Sequence, residues 1–414
     1  MTRESRKLPR PAERVSVLSA LRNAKMARSA HAYVRGNTLK FYEWLASLKR
    51  SQLPQGPSIW ICGDCHIGNL GPIANAAGEV EIQIRDLDQT VVGNPAHDLI
   101  RLGLSLAAGA RGSDLSGVTT AKMLEHLIAS YARALDGRPT SRSSKKKGPE
   151  AIRDLLQLAE SRSWKQLAKE RIRDTKPTIP LGKRFWPISR QERREIANMF
   201  EGEEMRRLAA LLRSRDDDAS IELLDAAYWM KGCSSLGRLR FAILLGIEDK
   251  PGKTTDYCLM DVKEAVKATA PCGRKAKMPR DNGQRVIEGA RQLSPYIGER
   301  MRAARFLNRS VFIRELRPQD MKPDIERLSP EEAVKLAAYL AAVVGSAHGR
   351  QMDAATREAW RKECGRNRSK TLDAPSWLWC SVVDLLIKHE GSYLEHCRKH
   401  ALDEPSWEHP KITK

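Results

Sequence analysis

A short apolar run, IWIC at 59–62, leads straight into GDCHIGN at 63–69. A strand that ends by delivering a carboxylate, an imidazole and an amide fixes polar groups at a rigid edge, and the rest of the chain must be built around them. Asp64 comes first, His66 two residues on and Asn69 five residues on. A second alternating run, VEIQIR at 80–85, continues into DLDQT and so delivers Asp86 and Asp88. Asp and Asn oxygens are hard ligands, suited to Mg²⁺ held jointly with substrate phosphates rather than in an all-protein cage. In phosphoryl transfer one Asp accepts the proton of the attacking hydroxyl, while an Asn and another Asp hold the metal. The spacing supplies those three groups.

The chain of 414 residues is long enough for two or three domains, or for one large two-lobed unit. Its apolar runs, such as LAAYLAAVVG and FAILLGI, are too short to span a bilayer. The first fifteen residues, MTRESRKLPRPAERV, hold no apolar signal core, so the expectation is a soluble cytoplasmic protein with no membrane partner. Eight cysteines in such a chain fit reduced thiols better than a disulfide framework. The formal charge of +21 points to anionic company: a nucleotide, a phosphorylated metabolite, nucleic acid or an acidic protein surface. That charge is scattered, with one dense run, RPTSRSSKKKG at 138–148, which reads as a solvated loop. Aromatic residues make up only 6% of the chain, and no aromatic-rich basic strand offers bases a stacking surface.

Residues 14–48 are mostly helical in pattern. Segments 58–62 and 80–85 read as short strands joined by a Gly/Asn-containing turn at 74–78, and 97 to about 225 reads as helical, broken by a Pro-containing loop at 176–189. The pattern changes at about 228. KGCSSLGRLRFAILLGI reads as a glycine turn followed by a strand, YCLMDVKEA at 257–265 as a second strand, 283–300 as a helix, and SVFIREL at 310–316 as another strand. In SPEEAVKLAAYLAAVVGSAHG, Ser329 and Glu332 form a capping-box pattern with Pro330 at the first helical position. The tail, 375–400, is again helical. The plan is a helical unit at 1–227, a strand-rich unit at 228–320 and a helical return at 321–414.

GDCHIGN resembles the catalytic loop, HGDxHxxN, of the aminoglycoside phosphotransferase and choline kinase branch of protein-kinase-like enzymes. RDLDQTVVGNPAHDL resembles that branch's metal-binding segment, with Asp86, Asp88, Gly93, Pro95, Asp98 and Leu99 at the family's intervals. The resemblance implies that Asp64 is the catalytic base and that Asn69 and Asp86 are metal ligands. It also implies that Asp88 assists the metal and that Asp98 braces the catalytic loop from the next helix. His66 would hydrogen-bond a phosphate or orient Asp64. Cys62 departs from the branch, which usually has His there.

An enzyme of that kind places its nucleotide lobe before the catalytic loop, but the residues ahead of Asp64 read as helix. The strand-rich unit downstream supplies what is missing. Gly232-Cys-Ser-Ser-Leu-Gly237 resembles a GxGxxG loop with Ser234 at the middle glycine, whose backbone N–H groups would approach phosphates closely. Lys263 resembles the strand lysine that pairs the α- and β-phosphates, and Glu288 on the following helix is its expected carboxylate. Backbone groups of Glu315 to Arg317 would meet a purine. The expectation is therefore an α+β, protein-kinase-like two-lobed fold, circularly permuted, with a large helical lobe and a small strand-rich nucleotide lobe. Segments including KMARSAHAYVRG at 25–36, GDCHIGNLG and GQRVIEG also resemble a bacterial family known as domain of unknown function 2252; Arg35 and Gly36 belong to that signature.

The activity expected is ATP- and Mg²⁺-dependent phosphoryl transfer to a hydroxyl of a small molecule or a protein, with an acceptor that the charge favours as anionic. The alternatives are a nucleotide-binding pseudokinase without turnover and a basic nucleic-acid-binding protein. Cys62 and Cys65 form a CxxC, which reads either as a redox pair or as one half of a zinc site whose second pair is missing from the pattern. His396, Cys397 and His400 read as a coincidence on a helix surface.

Overall fold

The computed structural model describes residues 8–136, 148–161, 178–211, 220–232, 236–250, 253–273, 276–317, 328–366 and 373–400. Apart from Gly148, the basic run at 138–148 lies outside them, as does Ser234. The helical stretch at the start is three helices, α1 (Arg14–Ala27), α2 (Ala30–Gly36) and α3 (Thr38–Ser47). Their breaks are set by N-caps: the Ser29 hydroxyl accepts from the Ala32 amide and the Asn37 side chain from the Lys40 amide.

Four short strands follow, β1 (Ile59–Ile61), β2 (Leu70–Ala74), β3 (Val80–Ile84) and β4 (Val91–Gly93). The pairing differs from the expected one. The turn at 74–78 joins β2 to β3, with the Asn75 side chain accepting from the Ala77 and Glu79 amides, whereas β1 pairs antiparallel with β4. This pairing closes a loop that brings GDCHIGN beside DLDQT. Next come α4 (Ala96–Gly112), α5 (Gly117–Ala134) and α6 (Glu150–Ser161).

The stretch to 225 is not helical throughout. It holds β5 (Phe185–Trp186), α7 (Arg190–Glu201), α8 (Glu203–Ala209) and most of β6 (Ser220–Trp229). Then follow β7 (Arg240–Lys250), β8 (Lys253–Glu264), α9 (Asn282–Leu293), α10 (Pro295–Gly298), β9 (Met301–Phe306) and β10 (Arg309–Glu315). The helix expected over 283–300 stops at Leu293, because Pro295 disfavours a helical residue before it. The three remaining helices are α11 (Pro330–Gly349), α12 (Ala354–Cys364) and α13 (Ser376–His400). Ser329 caps α11, but the Glu332 carboxylate accepts from the Glu150 amide instead, so only half of the capping box forms.

The molecule is therefore mixed α and β around one six-stranded antiparallel sheet of order β5-β6-β7-β8-β10-β9. Side chains alternate across a strand, and this alternation sorts the sheet's two faces. Phe241, Ile243 and Leu245 on β7, Met260 and Val262 on β8, and Val311 and Ile313 on β10 pack with α1, α7 and α8. Leu18 and Leu21 of α1 belong to that cluster, so the first helix serves the sheet. The other face carries apolar Trp229, Ala242, Leu244 and Leu259 together with the charged side chains described below. Beneath the sheet, α9 contributes Val286, Ile287 and Ala290 to the large core that also holds α4, α5, α11 and the four short strands.

Candidate active site

Gly63 lies in the left-handed region (φ +75°), and a Cβ there would stand 2.1 Å from the Gln89 carbonyl oxygen, so only glycine lets β1 turn into the GDCHIGN loop. Asp98 at the start of α4 fixes that turn. Its carboxylate accepts from the Cys62 amide at 2.7 Å and the Gly63 amide at 2.9 Å. His348 of α11, 250 residues away, places Nε2 3.2 Å from the same carboxylate, and its Nδ1 meets the Tyr131 hydroxyl at 3.0 Å. The loop is thus braced from α4 directly, and from α11 through His348.

Asp64 is buried and doubly held. Its Oδ1 accepts from Arg101 Nε at 2.8 Å and its Oδ2 from the Thr38 hydroxyl at 2.9 Å. Neither partner was legible in the sequence. Arg101, fully buried on α4, also donates to the Val34 carbonyl at 2.7 Å. His66 places Nε2 3.9 Å from Asp64 Oδ2, beyond a hydrogen bond, and its buried Nδ1 has no hydrogen-bond partner among the described residues. Burial, then the Arg101 and Arg35 guanidinium groups, hold His66 well below the ordinary imidazole range. The Asn69 amide nitrogen donates to the Asp64 carbonyl at 3.0 Å.

Lys263 reaches this loop from the sheet. Its ammonium lies 3.2 and 3.3 Å from the two Asp86 oxygens and is in contact with Asp88 Oδ2. Burial would raise Asp86, but Lys263 holds it well below the ordinary carboxylate range; Asp88 is pushed up, by burial and then by Asp86. Arg285 of α9 donates to the carbonyls of Asp88, Thr90 and Val266 and so clamps the DLDQT loop under the sheet. Glu288 does not face Lys263: it accepts from Gln292 and pairs with Arg291 on its own helix. The carboxylates opposite Lys263 are Asp86 and Asp88.

Cross-strand register explains why the charges cluster. Lys263 is paired with Arg240 on β7 and Phe312 on β10, and Asp261 with Ala242 and Arg314. Period-two alternation puts all of them on one face. Arg240 grips Asp261 with two bonds, at 2.9 and 2.6 Å, and Arg314 Nε lies 3.5 Å from the same carboxylate. Together they hold Asp261 well below the ordinary range against its burial. Lys231 stands 4.2 Å over the Trp229 ring.

These groups line a cavity of about 230 Å³. Arg35, Arg85, Lys231, Arg240, Lys263 and Arg314 are in its wall, against the carboxylates of Asp86 and Asp261. His66, Gly68, Asn69 and Gly232 also line it, with Val286, Met301 and Phe312 forming an apolar side. Asp64 is not in that wall, whereas His66, 3.9 Å from its Oδ2, is. Gly232 and Gly237 both have positive φ, 93° and 95°, as a tight glycine turn requires. Farther up the sheet, the Glu315 carbonyl is taken by Arg300 at 3.0 Å and the Leu316 amide by the Leu259 carbonyl at 2.7 Å, so these backbone groups are already committed.

Asn69 and Asp86 line the same cavity, and Asp88 shares Lys263 with Asp86; one amide and two carboxylates are the hard oxygen donors that fit Mg²⁺. Buried Asp88 Oδ1, which has no hydrogen-bond partner among the described residues, supports that fit. No larger set replaces it: among the described residues no three His, Cys, Asp or Glu side chains are grouped to hold a metal. Cys62 and Cys65 are fully buried free thiols, and the bond to Cys65, with burial, holds Cys62 well above the ordinary thiol range. His396 and Cys397 bond carbonyls of α1, at Asn23 and Ala27, and so dock α13.

Residues 14–399 match the family described as "Uncharacterized protein conserved in bacteria (DUF2252)", and the chain belongs to that family. No curated protein and no solved structure matches it. No helix among the described residues is long and apolar enough to cross a membrane.

Proposed function

We propose that the chain is an ATP- and Mg²⁺-dependent phosphotransferase with a circularly permuted, protein-kinase-like fold, its nucleotide lobe inserted after the catalytic loop. The observation that carries the reading is the meeting of Lys263 with Asp86, 177 residues earlier, and with Asp88, in a cavity lined by six Arg and Lys side chains. Such a lining suits a triphosphate, because Arg and Lys form the strongest charge-assisted bonds with phosphate oxygens. The order around it also supports the reading. A glycine turn sits between β6 and β7, the lysine lies on the next strand β8, and a helix, α9, packs beneath, as in the kinase template.

In this reading Gly232 and Gly237 cover the phosphates and Lys263 binds the α- and β-phosphates, leaving Asp86 and Asp88 as the nucleotide enters. Mg²⁺ held by Asn69, Asp86 and Asp88 would neutralise phosphate charge. Asp98 and His348 keep the loop rigid. The acceptor's proton passes to the Asp64–His66 pair: His66 faces the cavity, and Arg101 and Thr38 hold Asp64 behind it. A cavity of about 230 Å³ is below the usual range for ligand pockets, so in this reading it widens as Lys263 leaves the two carboxylates.

Asp64→Asn and His66→Gln should each lower transfer at least a hundredfold, the scale of general acid–base catalysis, with ATP affinity kept within a few-fold. Phosphate release from ATP, with and without acceptors, reads this out. Unchanged turnover in both variants removes the pair from the mechanism. The pseudokinase alternative is favoured by one observation, the commitment of both Asp64 oxygens to Arg101 and Thr38; it predicts nucleotide binding with no turnover in any variant.

A further inference from the structure

Arg35 has so far been only one of the cations around the first cavity, and the structure sets it against the glycine at position 68. A Cβ on Gly68 would stand 2.8 Å from Arg35 Nη2, 2.9 Å from Cζ and 3.0 Å from Nε, so the guanidinium lies face-on against the Gly68 backbone. Any side chain at 68 would push it away. The helix that carries Arg35 is tied to Asp64 through one buried group, since Arg101 bonds both Asp64 and the Val34 carbonyl.

Arg35 and Gly68 line the phosphate-type cavity and also a second one, of about 1330 Å³; no other described residue lines both. The two cavities differ in chemistry. The first has a surplus of cations. In the second, Arg35 and Arg111 are balanced by Asp114 and Glu390, and Arg111 is paired with Glu390 at 2.5 Å. The rest of its wall mixes polar and apolar groups, with His31, Ser113 and His389 beside Leu115, Met123 and Leu386.

We propose that Arg35 holds the terminal phosphoryl group of the nucleotide where the two cavities meet, and that the larger cavity takes the acceptor, a neutral amphipathic alcohol. The proposal rests on the phosphotransferase reading. Lys263 and Arg35 line the same cavity, and Arg35 with Gly68 also lines the second one, so a phosphate chain bound to Lys263 has Arg35 as its cation at the junction. The acceptor oxygen then bonds the terminal phosphorus, and the bond from that phosphorus to the bridging oxygen breaks. ADP leaves with the electron pair, and the hydroxyl proton goes to the Asp64–His66 pair. A wall of mixed polarity whose charges balance favours a neutral amphipathic acceptor over a polycation or a phosphorylated sugar, a different choice from the anionic acceptor that net charge suggests.

The test compares ATP and ADP affinity by titration calorimetry with Mg²⁺ in the wild type, Arg35→Ala, Arg35→Lys and Gly68→Ala. Arg35→Ala should lose about tenfold or more for ATP and less than twofold for ADP. Arg35→Lys should recover part of the difference. Gly68→Ala, which keeps the arginine but displaces it, should fall in the same direction. An ATP-to-ADP ratio that is unchanged in Arg35→Ala overturns the assignment, whereas failure of the wild type to bind either nucleotide overturns the phosphotransferase reading itself. In a second arm, ³¹P spectra follow ATP with octyl glucoside, kanamycin or glucose 6-phosphate. A new phosphoester on octyl glucoside alone is expected. One on either charged compound, or none, overturns the acceptor class.

Discussion

His389 on α13 is 3% exposed, with Nδ1 on the Leu385 carbonyl at 3.0 Å and Nε2 without a hydrogen-bond partner among the described residues. Burial, and then Arg101, depress it to about 4. The unfolded chain takes up its proton near pH 6.5 and the folded one only near 4, so the neutral ring's contribution is present above about 6.5 and is lost as pH falls towards 4. From pH 7 to 5 this amounts to about 2 kcal/mol. Urea unfolding at the two pH values should show that loss in the wild type and less of it in His389→Gln; equal losses in both contradict the assignment. The residues legible in the sequence were those whose role is set by neighbours in the chain. Asp98 follows Gly93-Asn-Pro at a fixed interval and does brace the loop. Arg101 and Thr38 were not legible, because the fold alone brings them to Asp64. Glu288 failed for a related reason: the helix phase that fits a lysine partner also fits Arg291 and Gln292 on the same helix.

Among the elements, the face of β7, β8 and β10 that carries Arg240, Asp261, Lys263 and Arg314 matters most. Asp261 and Lys263 stand at alternate positions in the apolar LMDVKEA, a readable signal that this strand turns charge to one face. Asp261 sits between two buried guanidinium groups, and removing one partner of such a set strands the rest. Asp261→Ala should therefore cost about 3–5 kcal/mol of unfolding free energy, measured by urea denaturation. A loss below about 1 kcal/mol would show that the cluster is solvated in solution. Elements were misread where pattern gave no decision. In SIELLDAAYW, apolar residues recur at helical as well as strand spacing, and pairing with β7 settles it as β6. In β9, MRAARF has few β-branched residues to mark it; Met301 to Phe306 become a strand by pairing with β10 at the sheet edge.

Over the whole molecule, the chain runs helices, short strands, sheet and helices again, and α11 returns to α5 and to the loop it braces through His348. That return was legible in the order of the motifs. The depth of the sheet's roots in the earlier chain was not, because α1, α7 and α8 look like any amphipathic helix until the face they cover is known. The surplus of positive charge also gains a location. Six Arg and Lys side chains line one cavity, and this is the part of the charge that the proposed nucleotide site would use.

If Asp86 and Lys263 belong to one nucleotide site, thermal unfolding with and without ATP and Mg²⁺ will register it in the wild type, Asp86→Asn and Lys263→Ala. At about a hundred times its dissociation constant the nucleotide should stabilise the wild type by about 2.7 kcal/mol, with most of that increment lost in each variant. An increment that survives in both variants, or no increment in the wild type with any nucleotide, would contradict the account.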